Sequence, residues 1–120
     1  FPSNFPSLYN KGLSLLAIGQ YEKALSLFDR ALKIEPFNVA VLLNKGQVFS
    51  ILGQYEKSIS RFDGILDIDP ENSDALYNKA LSWATLGKYE QSIPLFDKAL
   101  NIEPTNIEIL HNKAIALQAI

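Results

Sequence analysis

The sequence predicts an all-α chain of seven helices, paired as antiparallel hairpins and stacked into a superhelix. Three observations carry that prediction. The pair Asn-Lys recurs at Asn10-Lys11, Asn44-Lys45, Asn78-Lys79 and Asn112-Lys113, each 34 residues after the last, so one structural unit is written out repeatedly. Apolar residues within each unit recur at spacings of three and four, as on a helix with one buried stripe. A glycine stands in the middle of each unit and a proline near its end, and both punctuate helices.

The chain reads as a single domain over residues 1–120, with repeats at 5–38, 39–72 and 73–106 and a terminal helix at 107–120. In the first unit Leu8, Gly12, Leu15 and Leu16 form the apolar stripe of a helix A. Gly19, in column with Gly53 and Gly87, can adopt the left-handed conformation that stops that helix. Helix B starts near Tyr21, turns Ala24, Leu25, Phe28, Ala31 and Leu32 inward, and must stop before Pro36. Asn38, Asn72 and Asn106 then stand where a side-chain oxygen can cap the following helix. The leader keeps the same phase, since Pro2 and Asn4 precede Pro36 and Asn38 by 34 residues. Tyr21, Tyr55 and Tyr89, together with Trp83, read as packing residues.

Two positions break helix rules. Gly64 lies inside the second helix B and costs about 1 kcal/mol relative to alanine. Pro94 lies inside the third and removes the bond to the Glu90 carbonyl, so that helix is expected to persist with a bend near Glu90. Asp29, Asp63 and Asp97 each precede Lys45, Lys79 and Lys113 by 16 residues, which predicts a series of ion pairs between repeats. Such pairs contribute about 0.2–1 kcal/mol each when exposed.

Composition narrows the function. Thirteen acidic and eleven basic residues give a net charge of −2 with no basic run, which argues against nucleic acid and anionic membrane surfaces as partners. No stretch is long and apolar enough to span a membrane. The chain has no cysteine and a single histidine, His111, so disulfides, thiolate sites, nucleophilic triads and clustered metal ligands have no support. Nor is there a glycine-rich phosphate loop. The sequence therefore predicts no enzyme, no catalytic residues, no cofactor and no metal. It starts without methionine and stops inside a helical pattern, and so reads as a piece of a longer protein.

On these residues the chain resembles the tetratricopeptide repeat (TPR) family. The family pattern W-x2-L-G-x2-Y…A-x3-F…P reads in the first unit as Leu8-x2-Lys11-Gly12-x2-Leu15…Ala24-x3-Phe28-x2-Ala31…Pro36. It departs in carrying leucine at the large first position, Ser58 and Ser92 at the small position of helix B, and Ile65 at the next small position. Ile65 is expected to push its neighbouring helices slightly apart.

The resemblance implies a TPR solenoid whose A helices line a concave groove and whose B helices form the convex side. It assigns to the groove Tyr9, Asn10 and Leu13, then Leu43, Asn44 and Gln47, then Asp74, Tyr77, Asn78 and Leu81, and finally His111 and Asn112. The family's clamp for a C-terminal carboxylate falls on Tyr9, Leu13, Asn44, Asp74 and Asn78, of which only Asn44 matches, and Asp74 would repel the ligand. The Asn10, Asn44, Asn78 and Asn112 column instead resembles an asparagine ladder that holds the backbone of an extended peptide. The other reading keeps those amides bonded within the scaffold. The expected function is a protein-interaction scaffold that binds a peptide or helix of a partner protein in its groove. The alternative is an assembly module that mainly self-associates through its repeat surfaces and its exposed terminal helix, as a homodimer on the outer flank of Ile109, Leu110, Leu117 and Ile120.

Overall fold

The computed structural model describes residues 4–120, and Pro2 lies outside them. Seven helices follow in order: α1 Phe5–Ala17, α2 Tyr21–Ile34, α3 Val39–Ile51, α4 Tyr55–Ile68, α5 Ser73–Thr85, α6 Tyr89–Ile102 and α7 Ile107–Gln118. Each is antiparallel to the next, and the stack measures 52 × 25 × 22 Å, the elongated shape of an array. Helix α3 touches α5 and α5 touches α7, which puts these A helices on the inner side of the coil.

The punctuation works as its chemistry requires. Gly19, Gly53 and Gly87 have φ of 80°, 76° and 77°. At each, paired bonds close the helix; at the first, Gly19 N–H donates to the Leu16 carbonyl and Gln20 N–H to the Leu15 carbonyl. Asn38, Asn72 and Asn106 cap α3, α5 and α7 by accepting from the N–H groups of Val41, Ala75 and Ile109. Asn4, their counterpart before α1, makes no side-chain capping bond. Helix α6 continues through Pro94 and has the same 14 residues as α2 and α4, so the proline shortens nothing.

Each hairpin closes on a phenylalanine. Phe28, Phe62 and Phe96 are fully buried, and their rings lie against Gly12, Gly46 and Ala80 of the facing A helix. A Cβ added at Gly12 or Gly46 would stand only 2.6 or 2.5 Å from a ring carbon. Ser58 and Ser92, buried in the small position of helix B, each donate to the carbonyl three residues back, Tyr55 and Tyr89 respectively. Ser58 Oγ also lies 2.9 Å from the buried Ser82 Oγ of α5. Ile65 is fully buried with Phe62 and Ala75.

Between repeats, Lys45, Lys79 and Lys113 each place Nζ 2.6 Å from an Oδ1 of Asp29, Asp63 and Asp97, completing the predicted series. The lysine stems are mostly buried while the aspartates stay about half exposed, so the pairs bridge adjacent repeats but are open to salt.

The terminal helix requires a correction. Ile109, assigned from sequence to the uncovered flank, is buried in one cluster with Leu76, Ala80, Phe96 and Ala99. It stands in column with Val41 and Ala75, which are buried as well, and that side of an A helix packs on the preceding hairpin. Leu110, Leu117 and Ile120 are exposed, as assigned.

Three substitutions test this account by urea unfolding. Gly64 has open space where a Cβ would go, so Gly64→Ala should stabilise the protein by about 0.5–1 kcal/mol. Gly46→Ala should destabilise it by about 1–3 kcal/mol through overpacking against Phe62. Arg61 occupies the column of Leu27 and Leu95, and its Nε is buried without a hydrogen-bond partner among the described residues. Arg61→Leu should therefore stabilise by about 1 kcal/mol, the order of an unmade buried bond. An unchanged or lower stability for Gly64→Ala, or a neutral Gly46→Ala, contradicts the packing described.

Candidate functional site

The inner face is built by one amide per A helix, and the structure shows where those amides are engaged. Asn44 Nδ2 donates to Tyr9 Oη at 2.7 Å and to the Ala40 carbonyl at 2.9 Å. Asn112 Nδ2 repeats both contacts, with Tyr77 Oη and the Glu108 carbonyl each at 2.9 Å. An amide nitrogen carries two hydrogens, so the donors of Asn44 and Asn112 are fully used within the scaffold. Only their Oδ1 acceptors remain for a ligand.

Asn78 differs. Its Nδ2 donates to the Asp74 carbonyl at 2.8 Å, but the position that supplies tyrosine to its counterparts holds Leu43. Asn78 therefore keeps one N–H and its Oδ1 free. Asn10 is exposed. Half of the ladder thus belongs to the scaffold, and the sequence reading missed it. The signal was a tyrosine 35 residues before the asparagine, one residue off the repeat period.

The tyrosine rings are held from below. Tyr9 stacks on Phe5 with centroids 5.8 Å apart and tilts against Phe28 at 6.1 Å, while Tyr77 tilts against Phe96 at 6.2 Å. Each phenol thereby joins the hairpin core to the inner face. Burial first, and the nearby Glu108 carboxylate second, raise the pKa of the Tyr77 phenol above its usual value, while the bond from Asn112 pulls it the other way.

Two clefts open on either side of Asn78 and Leu81. One, of about 340 Å³, is lined by Gln47, Asp74, Tyr77, Asn78 and Leu81 with Glu103, Asn106, Glu108 and Ile109. Three carboxylates line it and no lysine or arginine does, so it carries a negative potential. The other, of about 290 Å³, is lined by Ser50, Ile51, Tyr55, Leu81, Ser82 and Thr85 with Asn78. Its wall is hydroxyl and apolar. The clefts gather Gln47, Asp74, Tyr77, Asn78 and Leu81 from the groove assignment and add Glu103 and Ser82, which the sequence did not mark, with Asn106 and Tyr55, which it read as a cap and a packing residue. Neither cleft reaches Tyr9, Asn10, Leu13, Leu43, Asn44, His111 or Asn112. Leu13 and Leu43 are half-buried and pack on hairpin cores, whereas His111 is exposed.

Sequence models of the tetratricopeptide repeat match residues 5–38 and 73–106, and a second such model matches residues 27–60. No curated protein sequence matches the chain. Among solved structures, the first TPR of Spaghetti (RPAP3), bound to the HSP90 peptide SRMEEVD, is similar with a TM-score of 0.91 at 19% identity, over 97% of this chain and 92% of that one. A tetratricopeptide repeat protein from Parabacteroides merdae has a TM-score of 0.91 at 27% identity over 98% of this chain. YrrB, described as a TPR protein with an unusual peptide-binding site, has a TM-score of 0.86 at 26% identity over 94%. This chain spans 46% of the Parabacteroides chain and 58% of YrrB.

The environment of Tyr77 can be read directly. A raised pKa in the folded state means that the fold keeps a proton which the unfolded chain begins to lose near pH 10.0. The contribution is complete below that pH and is lost as pH rises through the folded value, so stability should fall in alkali. In an ultraviolet titration Glu108→Gln should lower the pKa of the most resistant tyrosine without removing the shift, because burial remains. An unchanged titration curve means that Glu108 does not act on Tyr77.

Proposed function

The chain belongs to the tetratricopeptide repeat family, and from that premise we propose that this protein-interaction fold takes an extended peptide along its inner face, across Asn78. The observation that carries the proposal is the difference among the amides. Asn44 and Asn112 are locked by tyrosine hydroxyls, whereas Asn78 keeps both a donor and an acceptor between two clefts. One amide with both functions matches the N–H and C=O of one peptide unit and reads no side chain.

The clefts supply the selectivity. Asp74, Glu103 and Glu108 suit a lysine or arginine side chain of the peptide, and Ile51, Leu81 and Tyr55 suit an apolar one. A free C-terminal carboxylate is a poor ligand here, because Asp74 stands where a clamp for it needs a cation. The HSP90-peptide complex of the Spaghetti domain therefore supports the fold of this chain and not that mode of binding. The peptide-binding site named for YrrB supports a peptide as the class of ligand.

The test is fluorescence anisotropy on a panel of unrelated peptides, some rich in lysine and arginine and some acidic. Asn78→Ala should weaken every binder about five- to a hundredfold, the worth of two hydrogen bonds. Asp74→Lys should weaken the preference for basic peptides, since Glu103 and Glu108 remain, and added salt should reduce it too. A loss confined to one peptide, or a preference for acidic peptides in the unaltered protein, contradicts the proposal.

A further inference from the structure

Two tyrosines on the inner face each place a hydroxyl on the amide one repeat later, and the two ties agree in detail. Tyr9 and Tyr77 lean on Phe28 and Phe96 with centroids 6.1 and 6.2 Å apart and planes inclined by 49° and 54°. Their oxygens stand 2.7 and 2.9 Å from Nδ2 of Asn44 and Asn112. Each amide sends its other hydrogen to the carbonyl four residues back, Ala40 or Glu108.

Between these ties the same frame stands without the hydroxyl. Leu43 occupies the column of Tyr9 and Tyr77 and packs on the cluster of Phe62, Ile65 and Ala75, as the tyrosines lean on Phe28 and Phe96. Asn78 is posed like Asn44 and Asn112, with Nδ2 2.8 Å from the Asp74 carbonyl. Phe5, which stacks on Tyr9, is no part of the frame, since Ser73 takes its place in the unit of Tyr77.

We propose that Leu43 sets where along the inner face a peptide is held, and that Tyr9 and Tyr77 act as internal ligands that close Asn44 and Asn112. This rests on the reading that a peptide lies across Asn78. A phenol oxygen takes the same N–H that a peptide carbonyl takes, so tie and ligand compete for one hydrogen. At Asn44 or Asn112 a peptide must displace a half-buried hydroxyl and leave it unbonded. At Asn78 it meets no such competitor, because leucine carries no oxygen. The residue one repeat before each asparagine, and not the asparagine, decides whether that position is open. Opening a second amide would add a contact on a neighbouring A helix about 8–10 Å away. That is about three residues of extended chain.

Side-chain amide exchange, followed by NMR in the free protein, tests the ties without a peptide. One N–H of Asn78 should exchange about two- to tenfold faster than those of Asn44 and Asn112, and Leu43→Tyr should remove the difference. Tyr77→Phe, which deletes a single oxygen, should speed one N–H of Asn112 by the same factor, and it decides the matter should Leu43→Tyr lose its circular dichroism. Anisotropy then tests the consequence. Leu43→Tyr should bind peptides about two- to tenfold more weakly than Leu43→Phe, the same ring without the hydroxyl, and the two should bind alike once Asn78→Ala is added. Tyr9→Phe, in neither cleft, should strengthen peptides of about ten residues by freeing Asn44, with no gain for peptides too short to span two A helices. Equal exchange at Asn44, Asn78 and Asn112, or equal binding by Leu43→Tyr and Leu43→Phe, overturns the proposal. Absent binding by every peptide overturns instead the reading of the inner face, and exchange in the free protein still decides the ties.

Discussion

Everything in this molecule depends on how closely two helices can approach where a phenylalanine ring meets a position with almost no side chain. The ring of Phe62 leaves no room for a Cβ at Gly46, and Phe28 treats Gly12 in the same way. That contact fixes the rotation of each A helix about its own axis, because only one column of the helix is small enough to face the ring. Once the rotation is set, the flanking columns have no freedom. One side turns Val41, Ala75 and Ile109 to the preceding hairpin, and the other turns Asn44, Asn78 and Asn112 to the inner face. The ion pairs then hold a stacking that the apolar core has already selected, at partly exposed sites where each is weak.

Much of this was legible because a repeat gives several views of one position. Period, helix pairing, glycine stops, asparagine caps and the Asp-to-Lys step all show as columns, and columns are readable without coordinates. What escaped were relations between columns. The bond from Asn44 to Tyr9 joins residues 35 apart, so a search at the repeat period passes over it. Ile109 was misplaced for a related reason: in isolation an isoleucine on the last helix looks like surface awaiting a partner. Its column mates Val41 and Ala75 show that it faces inward. The cleft-lining Glu103 and Asn106 sit at a turn, where helical periodicity carries no signal.

The inner face also shows how a scaffold can limit its own reactivity. A half-buried amide must be satisfied, and two of these are satisfied by phenols that rest on the hairpin core. The same bonds that remove Asn44 and Asn112 as donors stiffen the face by tying each A helix to its neighbour. The tie is missing at Asn78, whose amide keeps one N–H and its Oδ1 unengaged. Near Tyr77 one carboxylate has two settings, since Glu108 both acts on the half-buried phenol and lines the cleft beside it.

An array of equivalent units has an inherent ambiguity, since a ligand held in one position is held as well one unit along. The column Tyr9, Leu43, Tyr77 and His111 removes it. The backbone repeats with every unit, but the hydroxyls recur only with every second one, and the last position changes chemistry again. A chain shifted by a single unit meets methyl groups where it had met a phenol. Translation is a symmetry of the fold and not of the surface: the units are equivalent in backbone and unequal in the side chains they present.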